Sequence, residues 1–289
     1  MRMLELGRQF RPATSHVYPP FKKGMYMEEF MYQYLLTHEV QTDRVYIPVF
    51  WTNLQNHPGF VKDKYNLLLQ HAIKKMPPTT KYVTVVQHDD GPQLQLPKDT
   101  IIFGACTGTI PLPLIYEDTA HTLEQMTRVS KTQLASFVGT ITHPIRREMV
   151  RVLSDQTGIS FRIKETWSSS VPEQDAVLFV EDTLRSKFCL APRGYGRSSF
   201  RFFEAMLLDT VPVYFWDDQE WLPYQDIIDY RTFSLSISKK EIGKTYEILS
   251  SISDEQYGKM VEELQKVRSW FTLEGMATYV VHRLQCAAE

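Results

Sequence analysis

The stretch KFCLAPRGYGRSSFRFFEAMLLDTVPVYF, residues 187–215, admits few folds. An apolar run at 188–191 stops at a loop holding Arg193, Gly194, Gly196 and Arg197. Ser198 or Ser199 then stands where a helix can begin, because a serine hydroxyl accepts from a free amide of the first turn. Phe200, Phe203 and Leu207 recur at helical spacing and predict one buried face, while Arg201 and Glu204 lie three apart on another. A second apolar run, 211–215, completes a strand–loop–helix–strand unit.

Arg193, Arg197 and Arg201 crowd the positive end of that predicted helix. A cation there opposes the macrodipole, at about 0.3–1 kcal/mol for each exposed charge. An anion held by free amides, arginines and serine hydroxyls together offsets the conflict, and a diphosphate fits. The competing reading pairs individual arginines with Asp217, Asp218 or Glu204. It suits any one of them better than all three.

The run resembles the signature of the exostosin-like glycosyltransferases, carbohydrate-active family 47. That pattern is Phe-Cys-Leu-x-Pro-x-Gly, a short loop, Ser-x-Arg-x-x-Glu-Ala, then a Pro-Val strand. Here it stands as Phe188, Cys189, Leu190, Pro192, Gly194, Ser199, Arg201, Glu204, Ala205, Pro212 and Val213. Asp209-Thr210 stands where relatives often have a glycine, and aspartate tolerates the left-handed conformation better than most residues.

At 289 residues the chain is long enough for two domains. With 43% apolar residues and a formal net charge of −2 it lacks the basic excess of a nucleic-acid binder. Cys106, Cys189 and Cys286 are far apart and without metal-ligand spacing, so they read as reduced thiols of an intracellular protein and no zinc site is expected. No stretch approaches the roughly 20 apolar residues of a membrane span, and no signal-peptide core opens the chain. The expectation is a cytoplasmic, soluble protein, similar to the short forms in bacteria and large algal viruses, or a trimmed form of an anchored one.

Residues 1–130 read as a first α/β domain. Residues 11–23 are proline-punctuated. A helix from Gly24 buries Met27, Phe30, Met31, Tyr34 and Leu35, with Glu28 and Glu29 expected on its solvated side, although relatives carry a glutamate in a similar tyrosine-rich helix. Strands are expected at 45–50, 82–87 and 101–103 and a helix at 61–75. Trp51-Thr52-Asn53 follows the first strand, and residues 104–108 form a loop after the third. His88-Asp89-Asp90-Gly91 follows the second strand, and α/β enzymes place ligands in loops at carboxyl ends. This patch reads either as an Asp-Gly turn with a surface histidine or as catalytic, and a similar His/Asp/Gly patch in relatives favours the latter.

After a linker at 117–131, residues 131–289 restart the pattern: a strand at 134–138, a loop from Gly139 to Thr142, and a helix opened by Pro144 with Arg146 and Arg147 in its first turn. Those arginines are candidates for a second grip on the same anion. Further strands are expected at 161–164 and 233–237, an aromatic step at Trp221-Leu222-Pro223-Tyr224, and helices at 239–250, 254–270 and beyond Leu273.

Strand–helix alternation in two halves predicts two doubly wound Rossmann-like α/β domains. The resemblance implies the GT-B arrangement, the two facing a cleft, with the donor on the second domain, the acceptor on the first, and the last helices crossing back. It also implies inverting transfer from a UDP-sugar, UDP-xylose being the best guess, to a glycan hydroxyl. The donor residues it implies are Gly139, Arg146, Arg193, Ser198, Ser199, Arg201 and Glu204, the last on the ribose hydroxyls. The base candidates are Asp89 and Asp90, with His88 as orienter and Glu28 or Glu29 further back. No Asp-x-Asp motif stands in a loop, so no cofactor and no metal is expected. A phosphate-using kinase or sulfotransferase-like enzyme is the second reading, weakened by the missing Gly-x-x-x-x-Gly-Lys loop. A catalytically silent carbohydrate-binding protein is the third. Oligomeric state is open.

Overall fold

The computed structural model describes residues 1–14, 18–22, 24–117 and 121–286, so the linker expected at 117–131 lies partly outside the described residues. Its contacts divide the chain into two units. One comprises Met1–His16, Gly24–Glu117 and Thr272–Glu289; the other comprises Val17–Lys23 and Asp118–Phe271.

The first unit holds strands β1 (Arg2–Met3), β2 (Val45–Tyr46), β3 (Tyr82–Val86), β4 (Ile101–Gly104) and β5 (Ile110–Pro111), with helices α1 (Met27–Thr37), α2 (Trp51–Gln55) and α3 (Tyr65–Lys74). The strands form one parallel sheet in the order β1-β2-β3-β4-β5. A parallel sheet is covered on both faces, and β3 is accordingly buried at every position. The strand expected at 45–50 pairs over its first residues only, because Trp51-Thr52-Asn53 already turns into α2. Phe10, Ile47, Trp51, Leu54, Leu69, Ile73 and Tyr82 form one core.

The second unit contains β6 (Gln133–Thr140), α4 (Pro144–Leu153), β7 (Ile159–Lys164), α5 (Glu173–Arg185), β8 (Ser186–Pro192), α6 (Phe200–Leu207), β9 (Val211–Trp216) and β10 (Leu235–Ser238). Helices α7 (Thr245–Ser251) and α8 (Asp254–Val267) follow, while α9 (Leu273–Cys286) joins the first unit and packs on α1. The second sheet is also parallel, in the order β10-β9-β8-β6-β7. Alternating side chains supply its two faces: Ala135, Phe137, Phe188, Leu190, Val211, Val213 and Phe215 go into one core, Val138 and Cys189 into the other.

Several local expectations are corrected. Gly139 and Thr140 belong to β6 rather than to a loop, since they stay paired with Ile163 and Lys164 of β7. Helix α5 is additional to the expected elements: its apolar residues Phe179, Val180 and Leu184 sit among charged ones. Helix α6 buries Phe202, Phe203, Ala205 and Met206 more deeply than Phe200 or Leu207, because sheet and loops both cover it. It ends at Asp209, which holds φ +51 where relatives often have glycine. Its carboxylate accepts from Arg128 Nε at 2.7 Å.

Candidate active site

Read within its own unit, the second sheet runs 2-1-3-4-5, so its order reverses between β6 and β8, and ligands of open α/β sheets bind outside the carboxyl ends at such a reversal. Here the two strands part. Strand β6 stays in register with β7 up to Thr140↔Lys164, but with β8 only up to Ser136↔Cys189. Carbonyls released by the divergence are taken by arginines. Arg201 Nε donates to Val138 O at 2.6 Å. Arg146, buried to 5% exposure, donates from Nε to Arg193 O, from Nη1 to Thr140 O and from Nη2 to Pro192 O, at 2.9, 2.9 and 3.3 Å. Arg146 therefore stitches the ends of β6 and β8 together. Arg147, one residue on, is exposed. A Cβ at Gly139 would fall on the Arg201 guanidinium, and one at Gly194 would sit 3.0 Å from Arg146 Nη2, so both glycines make room for arginines.

The loop between β8 and α6 is held from several sides. Arg193 N donates to Phe215 O at 3.0 Å, and Tyr214 Oη to Arg197 O at 2.5 Å. Arg193 Nη1 reaches Asp217 Oδ1 at 2.9 Å and Asp218 Oδ1 at 2.5 Å, and Arg197 pairs with Asp218 at 2.8 Å. The ion-pair reading thus holds for these two arginines; the strand end of β9 supplies the carboxylates. Asp218 is pulled below the usual carboxylate range by its bonds from Arg197 and Gln219 and the charge of Arg193, which outweigh its partial burial. His143 caps α4, Nδ1 accepting from Ile145 N at 3.3 Å, which requires the proton on Nε2. Burial, with the Arg193 charge second, lowers its pKa, in keeping with a neutral ring.

Two atoms in this loop are left over. Among the described residues, Nε of Arg193 (8% exposed) has no partner, and the hydroxyl of Ser199 (4% exposed), at the N-cap position of α6, makes neither the expected bond to a first-turn amide nor any other. A buried donor left unpaired costs about 1–3 kcal/mol. Two such groups in the loop that leads into an eight-residue helix form a donor set suited to an anion. Four arginines (146, 193, 197 and 201) face three carboxylates (Glu204, Asp217 and Asp218) here, leaving a positive balance. Ser198 and Glu204 are buried beside them. The structure therefore gathers Gly139, Arg146, Arg193, Ser198, Ser199, Arg201 and Glu204 around one switch point.

In the first unit, His88, Asp89 and Asp90 share one turn after β3, closed by Gly91 N donating to His88 O at 3.0 Å, with Gly91 at φ +66. His88 Nδ1 accepts from Asp90 N at 3.2 Å, and both aspartates are exposed. Cys106, just past β4, donates its thiol to Asp89 Oδ1 at 3.2 Å, a contact that no spacing in the sequence announces.

Glu28 is the correction of largest consequence. It was expected on the solvated face of α1, yet it is 1% exposed. Its Oε1 accepts from Thr52 N at 3.1 Å, Thr52 Oγ1 at 2.7 Å and Gln87 N at 2.9 Å, tying α1 to the first turn of α2 and the carboxyl end of β3. Gln87 answers by accepting from Met27 N at 3.2 Å. Oε2 is buried without a partner among the described residues, and burial raises the pKa of the group against the lowering effect of its hydrogen bonds. The available signal was the carboxylate in the first turn of a helix, where backbone amides are free.

Two parallel-sheet α/β units, of which only the second reverses its strand order as a doubly wound sheet does while the first runs in plain sequence β1-β2-β3-β4-β5, correspond to the GT-B class of glycosyltransferase. The exostosin GT47 domain matches residues 97–252, and the chain belongs to that family. It is 29% identical over 148 residues to a probable glycosyltransferase of Arabidopsis thaliana, covering 51% of this chain and 27% of that protein. A second probable glycosyltransferase from the same plant is 39% identical over 88 residues, covering 30% of this chain and 18% of that one. A probable xyloglucan galactosyltransferase, also from Arabidopsis thaliana, is 27% identical over 174 residues, covering 55% and 37%. The matches thus span well under half the length of these relatives. Among solved structures, T4 phage BGT in complex with its UDP-glucose substrate superposes with a TM-score of 0.39 at 14% identity, over 84% of this chain and 82% of that one.

Proposed function

We propose that the protein is an inverting glycosyltransferase that moves a sugar from a UDP-sugar to a hydroxyl of a glycan acceptor. The observation that carries this is the pair of buried groups without a partner among the described residues, Arg193 Nε and Ser199 Oγ, at the two ends of the loop between β8 and α6. Arg193 is held by Asp217 and Asp218 through Nη1, so its Nε is oriented and left for a phosphate oxygen. A leaving diphosphate gains negative charge as the glycosidic bond breaks, and fixed donors stabilise that charge most in the transition state. Arg193, Ser199 and Arg201 are assigned this task, with Arg146 positioning the loop through its carbonyl bonds. Glu204 takes the ribose hydroxyls. With so many cations in place the transfer needs no metal.

The acceptor hydroxyl must lose its proton as it attacks the anomeric carbon from the face opposite the diphosphate. Asp89 is the proposed base, held by Cys106, with Asp90 and His88 in the same turn. Asp89→Ala is expected to lower turnover at least a hundredfold while the dissociation constant for UDP changes less than twofold; Asp90→Ala tests the neighbour. Unchanged turnover in both variants removes the assignment. The relatives' names cover arabinosyl, glucuronosyl, galactosyl and xylosyl transfer. UDP-xylose is the first donor to try.

The direct test is thermal unfolding with a panel of nucleotides and UDP-sugars, with and without a chelator. A ligand at 100 times its dissociation constant stabilises by about 2.7 kcal/mol. A shift with UDP and one UDP-sugar, insensitive to chelator, supports the reading and names the donor. No shift with any nucleotide overturns it in favour of a silent carbohydrate-binding protein.

A further inference from the structure

Residues 18–22 precede the main body of the first unit, yet they pack in the second. There the Tyr18 ring meets Phe200, the first residue of α6, edge-on at 5.8 Å and 81°, and meets Trp167 at 5.8 Å and 64°. Phe21 approaches Phe179 of α5 at 6.4 Å. Between this segment and the carboxyl end of β6 lies a cavity. Its polar side is Arg201 and Glu204 together with Lys164 and Asp175, an ion pair at 2.9 Å. Its apolar side is built from Tyr18, Pro19, Pro20 and Phe200. Trp167, touching Tyr18, is 58% exposed, an unusual state for the largest apolar side chain.

A cavity with aromatic rings on one side and a buried carboxylate on the other, next to an anion site, has the polarity of a nucleoside. A base presents a flat π-face with polar edges, a ribose presents vicinal hydroxyls that donate to a carboxylate, and the diphosphate continues towards Arg193 and Ser199. Resting on the donor reading above, we infer that the segment around Tyr18, with Trp167 and Phe200, forms the base-binding wall of the nucleotide site. Aromatic stacking is indifferent to hydrogen-bond pattern, so this wall contributes affinity, and the polar groups around it contribute the choice of nucleotide. The second unit's ligand site is then incomplete without residues that come before the first unit's helix α1.

The test is calorimetric titration of the full chain with UDP and, separately, with inorganic pyrophosphate. For the unaltered protein UDP should bind more tightly than pyrophosphate. Tyr18→Ala and Trp167→Ala should each weaken UDP at least tenfold and leave pyrophosphate within twofold, and Tyr18→Phe, which keeps the ring, should stay within threefold for both. Trp167 is largely exposed, so its variant keeps the inference testable if Tyr18→Ala folds poorly. Unchanged UDP affinity in Trp167→Ala and Tyr18→Ala, or an equal loss for pyrophosphate, overturns the wall. If the unaltered protein binds pyrophosphate as tightly as UDP, the wall also falls while the anion site stands. Binding of neither overturns the donor reading itself.

Discussion

A carboxyl group stripped of water holds its proton more tightly, and Glu28 is in that position. A carboxyl whose folded pKa is raised above its unfolded value near 4.5 contributes stability that is fully present below that value. The contribution is lost as pH rises through the folded pKa, because the folded state must then carry a buried charge. Glu28→Gln keeps an oxygen for the three donors and cannot ionise. Its melting temperature relative to the unaltered protein should therefore be higher at pH 8 than at pH 5; an equal difference at both pH values contradicts the assignment. Glu28→Ala removes the acceptor and orphans Thr52 N, Thr52 Oγ1 and Gln87 N. Chemical denaturation should show a loss of about 3 kcal/mol or more, since each buried unpaired donor costs about 1–3 kcal/mol.

Among the elements, α4 and α6 with the strands before them carry the candidate donor site, and they were the most legible part of the chain. Pro144 fixed the first residue of α4, because proline at N1 has a local physical cause, and the serine pair 198–199 marked where α6 begins, although Ser199 at the N-cap makes no bond to a first-turn amide. What local reasoning could not supply was the partner of each charge. Arg146 and Arg201 lie in helix first turns, where a cation is disfavoured, and their answer is the set of carbonyls exposed where β6 and β8 part, a consequence of strand order. Glu28 and Cys106 were misread or missed for the same reason: their partners lie 59 and 17 residues away. Gly139 tests the arrangement. In Gly139→Ala the new methyl displaces the flexible end of Arg201 from Val138 rather than any backbone. Stability should fall by no more than the about 0.5–1.5 kcal/mol of one hydrogen bond, while UDP affinity falls about tenfold in titration calorimetry. A large loss of stability with UDP affinity intact would show that the guanidinium moved without consequence for the donor.

Across the whole molecule, each unit has its own sheet and its own core, so each should respond to its own perturbation. Met276 of α9 is fully buried in the first unit. Met276→Ala should cost about 2–5 kcal/mol there. Differential scanning calorimetry should show the first unit's transition moved down, and added UDP should still raise the other. A single transition that moves as one under both perturbations would mean that the units unfold together.

The assignment of α9 to the first unit also bears on how the protein is made. The ribosome delivers residues 24–117 before the second unit, but α9, which packs on α1, follows the whole of that unit in the chain. The second unit, complete at Phe271, has all of its chain before the first unit has received Met276, Tyr279 and Val280. The first unit's packing is therefore completed only after all of the second unit's chain has been made. Until the fourteen residues of α9 emerge, α1 lacks the helix that packs on it, so a nascent chain stopped at Phe271 holds one unit whole and the other short of a helix.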